Sequence, residues 1–150
     1  MKRTPFIISL LTAMLFASCE QNPRYSQLDG IWQVLTVEDK LAETTADAEG
    51  RLYISFEYEL VKLTFYPEVR NEGTLGHEYV SYYSLQDNTL SMGTFYKYSY
   101  NISKTEKELA PPEEMSAFGI RQQPAAFGMT IEGQAMTLEN GEARLMLRHY

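Results

Sequence analysis

Few residues of this chain have a type and spacing suited to chemistry, and tyrosine is the most abundant of them, with 11 in 150 residues. The two histidines, His77 and His149, have no Cys, His or carboxylate partner at a spacing typical of metal ligands. The sequence also lacks an elbow motif for a nucleophilic serine and a glycine-rich loop for phosphate. Glu113 and Glu114 follow a double proline, and we interpret them as the first turn of a helix rather than as an acid pair. We therefore predict a protein without enzymatic activity, metal or cofactor.

Four tyrosines are the candidate binding residues. Tyr96, Tyr98 and Tyr100 recur at every second position, which places them on one face of a strand, and we predict that this face points inward. Together with Tyr82, they would offer flat apolar rings and hydroxyl groups to a small ligand. The alternative is that they are ordinary strand residues, since tyrosine is favoured in sheets.

The only cysteine, Cys19, ends an N-terminal segment with the composition of a secretion signal. Lys2-Arg3 form a charged start, residues 6–16 are apolar, and Ala17-Ser18 supply small residues directly before the cysteine. An apolar run of about 11 residues is short of the roughly 20 that span a bilayer, which argues against a retained transmembrane anchor. The sequence therefore predicts a bacterial lipoprotein signal peptide, cleaved after Ser18, and lipidation of Cys19.

The organisation that follows is a signal peptide (1–18), a lipidated cysteine with a flexible tether (19–27) and one domain (28–150). Without the signal peptide, the chain has 11 Lys and Arg against 20 Asp and Glu, a formal net charge of −9. Such a surface is repelled by nucleic-acid phosphates and anionic head groups, so we expect no nucleic-acid partner and a membrane contact that depends on the lipid. We expect the protein in the bacterial cell envelope, with the outer membrane favoured and its periplasmic or surface orientation open.

From Leu28 onward, apolar and polar residues alternate in short runs separated by turn residues, which is typical of antiparallel strands. Tyr53 and Tyr66 fall on the polar faces of their strands and are predicted to lie outside. A short helix is predicted around 111–118, with Gly119 at its end. We predict an all-β fold, an up-and-down antiparallel barrel of eight or nine strands, with a two-sheet sandwich as the alternative. The predicted strands are 31–38, 51–57, 61–66, 78–85, 89–95, 95–102, 127–131, 136–138 and 145–147.

Three turns separate the predicted strands most clearly. Asn140-Gly141 is the strongest hairpin signal, and we predict a type I′ turn there, because Asn and Gly accept positive φ most easily. Asp87-Asn88 and Gly133-Gln134 are predicted turns as well.

The segment Gly30-Ile31-Trp32 at the start of the first strand resembles the Gly-x-Trp opening of the lipocalin superfamily, and Arg148 resembles the arginine of its final strand. The resemblance is to the small bacterial lipocalin-like domains, since the Thr-Asp-Tyr motif of the secreted lipocalins is missing. It implies a barrel in which Gly30 and Trp32 belong to the closed end and Arg148 packs across the indole ring in a cation–π contact. Trp32 and Arg148 would then be structural residues.

Two functions fit these observations. The first is a lipid-anchored binding protein that holds a small apolar or amphipathic ligand inside the barrel. The second is an interaction or structural lipoprotein with a filled barrel, which would meet a protein or glycan through its surface. Because an eight-stranded barrel can be filled by side chains or can hold one small ligand, strand number does not decide between them.

Overall fold

The computed structural model describes residues 27–98 and 107–150, and within them the chain forms ten strands and one short helix. The all-β prediction is confirmed. The elements are β1 (Gly30–Asp39), β2 (Thr44–Asp47), β3 (Leu52–Glu57), β4 (Leu60–Phe65), β5 (His77–Gln86), β6 (Thr89–Met92), β7 (Tyr96–Lys97), α1 (Pro112–Ala117), β8 (Ala125–Glu132), β9 (Ala135–Glu139) and β10 (Ala143–His149).

Eight of the strands form a closed antiparallel barrel, in the order β1, β3, β4, β5, β6, β8, β9, β10. Closure comes from the pairing of the first strand with the last, which runs from Trp32 opposite His149 to Asp39 opposite Ala143. Among the described residues, no helix is long and apolar enough to cross a bilayer.

The strands β2 and β7 lie beside the barrel and were not predicted with these bounds. One edge of β1 pairs with two strands. Residues 30–33 pair with β3, and residues 36–39 pair with β2. All four side chains of β2 are exposed, so this strand has no apolar alternation to reveal it. The predicted strand 95–102 is described only as far as Tyr98, and β7 occupies two of those residues.

The type I′ turn lies at a different hairpin from the one predicted. Asp87 and Asn88 have φ of 50° and 59° and join β5 to β6, as a type I′ turn requires. Neither Asn140 nor Gly141 has positive φ, so the prediction of that turn type there was wrong. The Asn140 side chain instead accepts hydrogen bonds from the backbone N–H groups of Glu142 (2.9 Å) and Ala143 (2.8 Å). These side-chain hydrogen bonds close the turn without the positive φ angles of a type I′ turn.

Candidate binding groove on the outer face of the barrel

The barrel interior is occupied by large side chains of the protein itself. Tyr79 and Tyr83 point inward from β5 and are buried, and the ring of Tyr83 packs edge-on against Phe56 at 5.1 Å between centroids. Burial raises the pKa of the Tyr79 hydroxyl, and its hydrogen bond to the Glu114 carboxylate raises this pKa further. Other large side chains that are almost completely buried are Trp32, Ile54, Leu63, Leu90, Met92, Phe95, Met115, Phe118, Phe127 and Met136.

Helix α1 and the residues after it cover one end of the barrel. Met115 and Phe118 are buried in the core, and the predicted helix and its Gly119 cap are confirmed, since Gly119 has φ of 69° directly after the helix. Glu114 accepts the Tyr79 hydrogen bond and lies 2.9 Å from Nδ1 of His77. Polar contacts and apolar burial therefore hold this segment across the end of the barrel.

The opposite end is closed by Trp32. Its Nε1 donates a hydrogen bond to the carbonyl of Leu28 at 2.9 Å, and its ring meets that of His149. The prediction that Arg148 contacts Trp32 was wrong. Arg148 pairs with Gln33 across β10 and β1, and both side chains point to the outer face of the barrel, away from Trp32. Its guanidinium donates to Gln33 Oε1 at 3.0 Å and contacts Glu49.

Tyr96 and Tyr98 were predicted to point inward, and the structure instead places both on the outer face of the barrel, where Tyr82 also lies. Tyr82 is 70% exposed and Tyr98 is 48% exposed. Tyr96 is half-buried and pairs with Val80, an outward residue of β5, while Tyr100 lies outside the described residues. The inward tyrosines of β5, Tyr79 and Tyr83, were missed. Their alternation with Glu78 and Ser84 was the available signal, because charged and polar side chains of a half-buried strand face solvent.

One part of the outer face is covered. Tyr53 was predicted to lie outside, and it does point outward, but it is only 5% exposed. The rings of Tyr66 and Tyr150 pack edge-on against it, with centroids at 5.9 and 5.4 Å, and Arg70 lies 5.9 Å above it. Its hydroxyl accepts a hydrogen bond from Gln33 at 3.3 Å. The outer row through Gln33 and Tyr53 is therefore buried by the chain itself.

The next outer row, two residues away along each strand, is open. Ile31, Ser55, Lys62 and Val80 follow one another in cross-strand register over β1, β3, β4 and β5. This row forms the floor of a groove of about 670 Å³, which we call the outer groove. Its walls include Tyr58, Leu60 and Tyr98, and Tyr82 lies opposite Leu60.

The outer groove combines apolar side chains with an acidic rim. Asp29 and Glu57 line it, and neither carboxylate forms an ion pair within the part of the chain that the structure describes. Its one lysine, Lys62, is neutralised by Glu78, with Nζ and Oε1 2.8 Å apart. Because like charges on the rim are left uncompensated, the groove favours cationic over anionic groups.

A smaller cleft of about 350 Å³ lies between β5 and α1, lined by His77, Lys97, Tyr98, Pro111 and Glu114. Its polar side chains have partners within the protein, since Lys97 pairs with Glu108 and His77 Nδ1 lies 2.9 Å from Glu114 Oε1. In residues 27–98 and 107–150, no group of three or more His, Cys, Asp or Glu side chains is placed to hold a metal ion.

The comparison with protein families agrees with the barrel. Residues 14–150 match the model of the lipocalin-like domain. The chain belongs to the lipocalin-like domain family. This fold is typically that of a binding protein rather than of an enzyme.

Solved structures show the same lipocalin-like fold. A lipocalin-like protein from Bacteroides uniformis ATCC 8492 superimposes with a TM-score of 0.57 at 13% identity, over 82% of this chain and 98% of that one. A protein from Bacteroides eggerthii DSM 20697 gives 0.59 at 16% identity, over 82% and 99% of the two chains. A protein from Burkholderia xenovorans gives 0.52 at 15% identity, over 89% and 92%. No curated protein matches the chain.

Proposed function

We propose that this lipocalin-like protein is a lipid-anchored, non-enzymatic binding protein of the bacterial cell envelope, which engages its partner through the outer groove. The observation that carries the proposal is the contrast between the two faces of the barrel. Inside, large side chains pack against one another, and outside, apolar side chains in neighbouring strand positions lie open to solvent.

The packing of the interior supports a surface partner over a small ligand in the barrel. Both ends of the barrel are covered, one by Trp32 and the other by α1, and a ligand would have to displace buried side chains such as Phe118 or Tyr79. Displacement of one buried aromatic side chain costs about 3 kcal/mol or more, which a small ligand would have to recover from its own contacts.

The exposure of the groove supports the same proposal. Ile31 is 44% exposed and Leu60 is 42% exposed, and they share this surface with Tyr58, Tyr82 and Tyr98. Contiguous apolar patches with aromatic residues mark interaction sites on soluble domains, and tyrosine is enriched among the residues that dominate binding energy.

We assign membrane attachment to a lipid on Cys19, and lipid labelling tests this assignment first. The full-length protein, expressed in a bacterium fed with labelled palmitate, should become labelled and should move to the detergent phase on phase separation. The Cys19→Ala variant should remain unprocessed and unlabelled. Labelling of that variant would end the proposal that Cys19 carries the lipid.

The outer groove is tested by photo-cross-linking in intact cells. The photoreactive p-benzoylphenylalanine replaces Tyr82, which lies opposite Leu60 at the edge of the groove, and, as a matched control, Met146, which is 42% exposed on the outer side of β10. We expect a discrete adduct from position 82 that is absent from position 146. Equal adducts at both positions, or none at either, would contradict a binding role of the groove. A small molecule recovered from the purified protein would instead support the alternative of a ligand inside the barrel.

A further inference from the structure

The chemistry of the outer groove points to one class of occupant, and this inference rests on the proposed function. We propose that the groove binds a cationic peptide or protein segment that presents apolar side chains next to lysine or arginine. The apolar side chains and the acidic rim of the groove lie within one cross-strand neighbourhood, so a single short segment reaches both.

The apolar part of the recognition comes from the two ends of the floor and from the residues beside it. Ile31 and Val80 lie at the two ends of the cross-strand row, and the strands between them are spaced at about 4.8 Å, so the floor is about 14 Å wide. A width of this size accommodates a few side chains of an extended segment. Tyr82 and Leu60, paired across β4 and β5, extend the same apolar surface.

The charged part comes from the rim. Asp29 and Glu57 line the groove beside its floor, and Glu59 follows on the turn after β3. Glu57 and Glu59 are exposed, and neither they nor Asp29 form an ion pair with another described residue. Because Lys62 is already paired with Glu78, the groove presents negative charge to its occupant.

The same charges disfavour the other occupants. Anionic lipid head groups and nucleic acids would meet uncompensated carboxylates, and a second copy of this acidic chain would bring an equal acidic rim against the first. A cationic segment is attracted over longer distances as well, since the chain carries a formal net charge of −7. Charge complementarity therefore selects the cationic segment.

The test uses the full lipidated protein in nanodiscs of neutral phosphatidylcholine, with empty nanodiscs as background. The probes are three fluorophore-labelled peptides of equal length that alternate leucine with lysine, leucine with glutamate, and serine with lysine. Fluorescence anisotropy should show binding of the leucine–lysine peptide, with affinity falling as salt is raised, and weak or no binding of the other two.

Four variants locate the interaction. Tyr82→Ser should weaken binding by removal of apolar contact, and the double variant Asp29→Asn with Glu57→Gln should weaken it about three- to tenfold by removal of charge. Met146→Ser and Glu132→Gln, on the outer side of β10 and on β8, should bind as the unmodified protein does. Circular dichroism and thermal melting verify that all four variants are folded.

Binding of the leucine–glutamate peptide as tight as that of the leucine–lysine peptide, or full binding by both groove variants, would overturn the assignment to a cationic partner. Self-association of the protein that Tyr82→Ser abolishes would overturn it in favour of a second copy, and groove-dependent binding to anionic vesicles would overturn it in favour of a lipid surface. A specific adduct at position 82 in cells together with no peptide binding would leave the groove's binding function standing and reject only this partner class.

Discussion

The imidazole of His149 stands nearly perpendicular to the indole of Trp32, with 5.0 Å between the ring centroids and an interplanar angle of 81°. These two residues face each other across the pairing of the first and last strands. His149 therefore occupies the place against the indole that the family resemblance assigned to Arg148. Gly30 completes this arrangement, because it leaves room for the imidazole where any other residue would place a Cβ atom.

The contact between His149 and Trp32 predicts that the fluorescence of Trp32 depends on the imidazole ring. Trp32 is the only tryptophan, it is buried, and its ring meets that of His149. Removal of the imidazole in His149→Ala should expose the indole to water and shift its emission to longer wavelength. Arg148→Ala and His77→Ala should leave the emission as it is in the unmodified protein. An unchanged emission spectrum of His149→Ala would contradict the contact.

Substitution of Gly30 should destabilise the domain through both strain and crowding. Gly30 has φ of 115°, and a Cβ atom there would lie 2.8 Å from Nε2 of His149. Gly30→Ala should cost about 1–3 kcal/mol of unfolding free energy, measured by urea denaturation. Gly133→Ala is the matched control, because Gly133 also has positive φ but no atom within 4 Å of the added Cβ. Removal of His149 in the Gly30→Ala background should recover part of the loss, and an equal loss with and without His149 would argue against crowding.

Substitution of an inward and of an outward aromatic residue should have different effects on the stability of the domain. Trp32→Ala empties a fully buried position and should cost about 3–5 kcal/mol. Tyr82→Ser changes an exposed side chain and should alter stability by no more than about 0.5 kcal/mol. Thermal melting of both variants checks this, and an unchanged melting temperature of Trp32→Ala would be incompatible with its place in the core.

The hydrogen bond between Tyr79 and Glu114 should contribute measurably to the attachment of α1. Tyr79→Phe removes the donor without removing the ring, and we expect a loss of about 1–3 kcal/mol, as for hydrogen bonds to charged groups. A double-mutant cycle with Glu114→Gln should give a coupling energy above about 0.5 kcal/mol. Additive effects of the two substitutions would show that the two side chains do not interact.

Glu139 should make stability depend on pH in the acid range. Hydrogen bonds from Arg144 and from Lys40 lower the pKa of its carboxyl to about 2 from its ordinary value of 4.5. A carboxyl whose pKa is lower in the folded state stabilises the fold above pH 4.5, and this contribution is lost as the pH falls from about 4.5 to about 2. Glu139→Gln should therefore melt at a lower temperature at pH 7 and should show a shallower decline over that acid range. Glu132→Gln is the control, and an identical decline in both variants would contradict the assignment.

The parts of the fold that alternate strongly were predictable from the sequence. In β3, β4 and the final three strands, the alternating residues that were predicted to share a face do so and are buried or partly buried, as Ile54, Leu63 and Leu145 show. Both the strands and their inward faces could therefore be identified. β2 could not be identified, because it is held by backbone pairing alone and all its side chains are exposed.

The candidate site was less predictable because tyrosine is compatible with both faces of a sheet. Tyr96 and Tyr98 do share one face, as predicted, but the alternation alone does not indicate whether that face points into the barrel or outward. The burial of Tyr53 depends on Tyr150, which is distant in sequence and closes over it only in the folded chain. The groove likewise exists only through the register of four strands, which short-range patterns do not fix.

The pairing of β1 with β10 has a consequence for folding. The first strand of the barrel has its longest pairing with the last strand, so the barrel can close only when almost the whole domain is available to fold. Until then, one edge of β1 remains an open template for another chain. The same pairing that closes the barrel therefore also removes the edge at which the unfinished fold could associate with a second chain.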